Sequence, residues 1–179
     1  MGEVRLVNAT IGGNLACSGG TFHNPEKDAL SADRMRVTGS VFLSAGFEAD
    51  GEVRLLGAII GGALDCRRGK FHNPEKIALN ADGMKVAGSV FLRDGFEADG
   101  EVRLLGATIG GALDCSDGEF HNPKGNALNA DGMEVTGDVF LNNGFEAEGE
   151  VRLLGVTTGD VVPGGMGWLG EPSLRDCGL

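Results

Sequence analysis

Apolar residues in this chain come in pairs one residue apart, and the pairs recur in a fixed series. Between Gly100 and Glu148 they read V-R-L, A-T-I, L-D-C, G-E-F, L-N-A, M-E-V, V-F-L and F-E-A. Their sixteen outer members are Val102, Leu104, Ala107, Ile109, Leu113, Cys115, Gly118, Phe120, Leu128, Ala130, Met133, Val135, Val139, Leu141, Phe145 and Ala147. Alternation over three residues predicts a short strand with one face buried and one face in water. Gly follows most pairs closely, as Gly106, Gly132, Gly137, Gly144 and Gly149 do, and Gly turns a chain at positive φ without steric cost. Counted between second members, the steps are 5, 6, 5, 10, 5, 6, 6 and 6 residues. Such steps hold neither a helix nor a crossover of a dozen residues, so the pattern predicts an all-β chain coiled as a parallel β-solenoid.

The series repeats every 49 residues, over 2–50, 51–99 and 100–148, with a fourth copy opening at Gly149. The second and third copies agree at 36 of 49 positions. Arg67, Arg68 and Lys70 become Ser116, Asp117 and Glu119; Lys85, Ser89 and Arg93 become Glu134, Asp138 and Asn142. None of the changes touches the sixteen, and the first copy keeps the same set from Val4 and Leu6 to Phe47 and Ala49. If every copy meets the same environment, eight pairs divide into two four-sided coils per repeat. The 10-residue step holds an outward loop, F-H-N-P-x-x-x-A-L, whose Pro25, Pro74 or Pro123 disfavours a continuing ladder. Residues 1–158 are thus expected to form the solenoid, with 159–179 as an irregular tail or cap.

The stretches A-T-I-G-G-A-L-D-C-S, N-A-L-N-A-D-G-M-E-V and G-D-V-F-L-N-N-G-F resemble the pentapeptide-repeat superfamily, which implies a right-handed quadrilateral β-helix. The run I-G-G-A-L-D-C followed by F-H-N-P and G-S-V-F-L-R-D-G-F is similar to tandem repeats in actinobacterial proteins commonly labelled membrane-associated oxidoreductases. That resemblance implies a repeat portion whose catalytic part lies outside this chain. Some superfamily members are acidic rods that imitate duplex DNA on gyrase, which makes gyrase a second implied partner.

A single repeat is not expected to fold. Each large inward residue contributes roughly 1.5–3 kcal/mol on burial, while ordering each backbone residue costs about 1–2 kcal/mol. Stacking adds what one copy lacks, by placing Phe22, Phe71 and Phe120, or Leu43, Leu92 and Leu141, in interior columns. With 32 Gly, no Tyr and one Trp in 179 residues, and no apolar run of the ~18 residues a bilayer span needs, the composition fits this reading. Met1 leads straight into the first repeat, so no signal peptide is expected. The abrupt start suggests a fragment whose open N-terminal coil invites self-association.

The net charge of −11 is unevenly spread: −2, 0 and −7 over the three copies and −2 over the remainder. Asp114, Asp117, Glu119, Asp131, Glu134, Asp138, Glu146 and Glu148 of the third copy are expected on outer faces. That argues against nucleic acid as a partner, since phosphates need clustered Lys and Arg.

Cys17, Cys66 and Cys115 share one inward position. Copies two coils apart lie about 10 Å from each other at a strand spacing of about 4.8 Å, too far for a disulfide or a shared zinc ion. They read as core residues with reduced thiols, suited to a cytoplasmic protein. Cys177 is the expected exposed thiol. His23, His72 and His121 are equally far apart, and the acids near them in sequence are Glu26 and Glu75, with Lys124 in the third copy. They read as loop residues rather than metal ligands. Gly165, Gly167 and Gly170 fit G-x-G-x-x-G, but Pro172 and a remainder of only nine residues after Gly170 oppose a dinucleotide site. No catalytic constellation, cofactor or metal set is found.

Phe42, Phe91 and Phe140 stand between two inward residues on each copy and predict an outward aromatic stripe. The functional expectation is a non-enzymatic scaffold or interaction module, bound to a protein partner or to itself. Phe42, Phe91 and Phe140 are its candidate contacts, and Asp117, Glu119, Asp131, Glu134 and Asp138 its acidic surface.

Overall fold

The structure, a computed structural model, describes residues 2–163. It is a parallel β-solenoid of about six turns, with every strand pairing in parallel to its neighbours one coil before and one coil after. Three sheets run its length. Sheet A holds the two-residue strand Val4–Arg5 and the long strands Thr21–Ser31, Glu48–Arg54, Lys70–Asn80, Glu97–Arg103, Glu119–Asn129 and Glu146–Arg152. Sheet B stacks the two-residue strands from Thr10–Ile11 to Glu134–Val135, and sheet C the strands of two or three residues from Leu15–Ala16 to Val161–Pro163. Coils alternate between 22 and 27 residues, the spacing of Glu48, Lys70, Glu97, Glu119 and Glu146 at one register position. Two coils therefore complete each 49-residue copy.

Four inward pairs per coil occupy these three sheets, because each long strand of sheet A carries two of them. In Glu97–Arg103, Ala98 pairs with Phe120 and Val102 with Leu128. The F-H-N-P loop falls between those two pairs. Its ladder lapses between His72 and Ile77 while the next coil advances only from Asp99 to Glu101, so the surplus residues bulge outward. Asn73, 5% exposed, clamps the bulge by donating its side-chain amide to the Ile77 carbonyl at 2.7 Å. Asn24 and Asn122 repeat the bond to Asp28 and Asn126.

The predicted inward set forms one continuous core. In the third copy every member from Val102 to Phe145 is buried, and Ala147 is half-buried. Large and small residues alternate down the rod. Gly118 precedes Phe120 in one coil and Phe96 precedes Ala98 in the coil beside it, so the two Phe sets merge into a single ladder. Phe22, Phe47, Phe71, Phe96, Phe120 and Phe145 stack in that order with ring centroids 5.2–5.5 Å apart. Between sheets B and C the I-G-G corner of the second and third copies leaves no room for a side chain against the coil before it. A Cβ on Gly110 would lie 2.3 Å from the Ala87 carbonyl oxygen of the previous coil.

On the outside, the V-R-L arginines after the first reach back one coil to an aspartate, while Arg5 pairs with Glu3. Arg54 meets Asp33 at 2.8 Å, Arg103 meets Asp82 at 2.6 Å and Arg152 meets Asp131 at 2.7 Å. Such part-exposed pairs contribute modestly, about 1 kcal/mol or less each, and they add coil-to-coil register. The ladder of sheet C continues past residue 158, where Val161–Pro163 pairs with Val139–Leu141. The remaining tail, with Gly165, Gly167, Trp168, Gly170 and Cys177, lies outside the described residues.

Candidate interaction face

Sheet C presents one outward residue per coil. From the N-terminal end the column runs Ala16, Phe42, Asp65, Phe91, Asp114, Phe140 and Val162. The three Phe do share one face, half-buried, but they are two coils apart with an aspartate between each pair. The stripe is therefore alternating aromatic and acidic rather than continuously apolar.

Phe91 differs from its two equivalents. The guanidinium groups of Arg67 and Arg93 lie 5.5 and 5.4 Å from its ring centroid, a distance at which a cation is drawn to the ring face. Both arginines are held by the interleaved acids. Arg67 Nη2 donates to Asp65 Oδ2 at 2.6 Å, and Arg93 Nη1 to Asp114 Oδ2 at 3.0 Å. Burial works to raise the Asp65 carboxyl, but side-chain and backbone hydrogen bonds from Arg67 outweigh it and hold the group below its ordinary value. In the third copy Ser116 and Asn142 stand where the arginines were, and Ser116 Oγ donates to the Asp114 carboxylate at 2.6 Å and lies 2.7 Å from the Asn142 side-chain amide. In the first copy Ser18 and Ser44 hydrogen bond at 3.2 Å. The rings of Phe42 and Phe140 thus have small polar flanks, and the Phe91 ring has two cations.

The five acidic candidates do not gather on one face. Glu119 is on sheet A, Glu134 on sheet B and Asp117 in an exposed turn between sheets C and A. Asp131 is bound to Arg152 and accepts the Leu154 amide, while Asp138 accepts the Asp160 amide at 3.0 Å.

The histidines require a correction. Their acidic partners are residues of the next coil, remote in sequence, and they exist in all three copies. His23 Nδ1 lies 2.8 Å from Asp50, His72 Nδ1 2.9 Å from Asp99 and His121 Nδ1 2.7 Å from Glu148. Glu75 instead pairs with Lys124, one repeat on, and this bridge joins successive loops across an open groove floored by Glu101. No cluster of three metal-ligating side chains occurs among the described residues.

Cys66 and Cys115 are fully buried and Cys17 is half-buried. Burial pushes all three thiols up, and the thiolate is the reactive form. Alkylation of Cys66 and Cys115 at pH 8 should therefore proceed at the rate of global unfolding, rising with urea as the transition is crossed. Rapid labelling of either residue by mass spectrometry in native buffer would contradict this placement.

Sequence reasoning missed Arg67, Arg93, Asp65 and Asp114 as parts of the aromatic face. The signal was there: D in L-D-C and F in V-F-L are the outward residues of the same side in alternate coils, and in the second copy an arginine stands two residues after each, Arg67 after Asp65 and Arg93 after Phe91. No family model matches the chain, and no curated protein or solved structure matches it. No helix among the described residues is long and apolar enough to cross a membrane.

Proposed function

We infer that this chain is a β-helical protein-interaction module, working through its outer surface, with Phe42, Phe91 and Phe140 on sheet C as the contacts. One observation carries the reading: three aromatic rings stand in one column at intervals of two coils, on a rigid backbone ladder. Half-buried rings fixed at regular spacing lose little side-chain freedom on binding, and aromatic residues with arginines beside them dominate interface energetics. Part-exposed Asp114 and exposed Arg67, which is bonded to the buried Asp65, supply polar contacts between the rings, so the face suits a partner with apolar groups separated by hydrogen-bonding or charged ones. The finer kinship, a divergent pentapeptide-repeat β-helix of a cytoplasmic bacterial protein, rests on the motif resemblance and on four inward pairs per coil.

A pull-down with the intact chain, compared with a Phe42→Ser, Phe91→Ser, Phe140→Ser variant of unchanged circular dichroism, tests the module. The intact chain should capture a protein from bacterial lysate that the variant loses or holds at least tenfold more weakly. Equal capture by both would end the reading.

A further inference from the structure

The corner between sheets C and A carries one exposed turn per coil, and its charge reverses along the rod. The turn holds Arg67 and Arg68 in one coil, Arg93 and Asp94 in the next, and Ser116 and Asp117 in the one after. Arg68 and Asp117 occupy the same repeat position at φ 57° and 56°, and both are exposed. Unlike Arg67 and Arg93, neither has an ion pair within the described residues. Two coils set them about 10 Å apart along one edge.

This edge is complementary to itself when reversed. A two-fold axis through the Arg93–Asp94 turn, perpendicular to the rod, brings Arg68 of one copy opposite Asp117 of the other, twice, by symmetry. On the axis Arg93 meets Asp94, and Phe91 meets Phe91. One coil further out, the neutral Ser44 and Ala45 turn faces Asn142 and Asn143. The adjoining column of sheet A is complementary only in part under the same axis: Lys70 would face Glu119, but Glu97 would face Glu97 and Glu48 would face Glu146; the second copy therefore leans toward sheet C. Resting on the module reading, we propose that one partner of this face is a second copy of the chain, paired antiparallel along the C–A corner through Arg68 and Asp117.

A strip about 30 Å long and about 15 Å wide buries on the order of 900 Å² in total, at the weak end of specific interfaces. The dimer is expected at high protein concentration and low salt, with dissociation favoured as salt screens the crossed pairs.

Sedimentation equilibrium of the full chain at 50 mM salt tests this. Arg68→Asp and Asp117→Arg should each weaken self-association roughly tenfold, because each sets like charges opposite one another twice. Mixing the two variants in equal amounts should restore association to the original level, since in the mixed pair both contacts are again opposite in sign. Each substitution installs a residue the other copy of the repeat already holds at that turn, so folding is kept. A Lys85→Glu control on sheet B should leave association unchanged. A monomer at millimolar concentration, single variants that associate like the parent, or a mixture that stays apart would each overturn the proposal. If the copies stay apart while the triple Phe variant still loses a captured protein, self-pairing fails and the module reading stands. If both results are negative, both readings fall.

Discussion

Phe96→Ala is expected to lower the unfolding free energy by about 3–5 kcal/mol. The ring is fully buried, 5.2 Å from Phe71 on one side and 5.2 Å from Phe120 on the other, with interplanar angles of 41° and 44°. Removing it deletes two aromatic contacts, each worth about 0.5–1.5 kcal/mol beyond burial, and leaves a hole the coil cannot close. The neighbours on that side are backbone ladders held at fixed spacing, and Gly118 has no side chain to move in. For a domain of ordinary stability, about 5–15 kcal/mol, this is a large share. The effect also has a direction along the rod. Each coil touches only its neighbours, so weakening the centre uncouples the two ends, and the denaturant slope should fall together with the midpoint. Phe91→Ala, on the outer face five residues earlier, removes a half-buried ring and its two cation contacts and should cost about 1 kcal/mol. Urea unfolding followed by circular dichroism compares the two. A loss below about 1 kcal/mol at Phe96 would mean the ladder does not hold the coils together.

The inward set was legible because solenoid strands obey a period of two and the repeats hold that set constant while the surface changes. What the period could not show is how two unlike coils meet. The 22- and 27-residue coils place G-E-F against F-E-A, so two Phe columns that look separate in the sequence form one ladder. The same alternation hides the histidine partners, which lie 27 residues downstream at Asp50, Asp99 and Glu148 and next to nothing in the local sequence. Asn73, Asn122, Ala78 and Ala127 stand in the outward loop by sequence, yet all four are buried. A bulge breaks the alternation that marks inside from outside, and there only the backbone accounting of the extra residues reveals which side chains turn in. The aromatic face was half legible. Its rings follow from the pattern in V-F-L, but the interleaved acids and the arginines over Phe91 depend on the strand register between coils.

Gly100→Ala should destabilise the fold by about 3 kcal/mol or more, through backbone rather than lost packing. Gly100 sits within the long strand Glu97–Arg103, where the ladder passes the loop of the preceding coil, at φ +125°. An L residue is strained there by its own Cβ. That Cβ would in addition lie 2.5 Å from the Asn73 carbonyl oxygen, 2.9 Å from that of Lys76 and 3.2 Å from the Ala78 Cβ. None of these can yield cheaply. The two carbonyls belong to a loop closed by the buried Asn73 amide, and Ala78 is fully buried beneath it. Gly51 and Gly149 repeat the arrangement at φ +118° and +131°, with closest approaches of 2.4 Å to Asn24 and Asn122. The F-H-N-P loop and the glycine of the following coil are thus one unit of structure separated by 27 residues. Relieving the clash means lifting the loop, which would break the Asn73 bond and pull His72 away from Asp99. In Gly100→Ala, hydrogen exchange at the amides of 76–80 and 101–103 should therefore quicken before the rest of sheet A. The control is Gly83→Ala, also at positive φ but with nothing within 4 Å of its Cβ, which should cost only about 1–2 kcal/mol. Equal losses at the two positions would show that strain in φ alone, and not the loop above Gly100, fixes glycine in this strand.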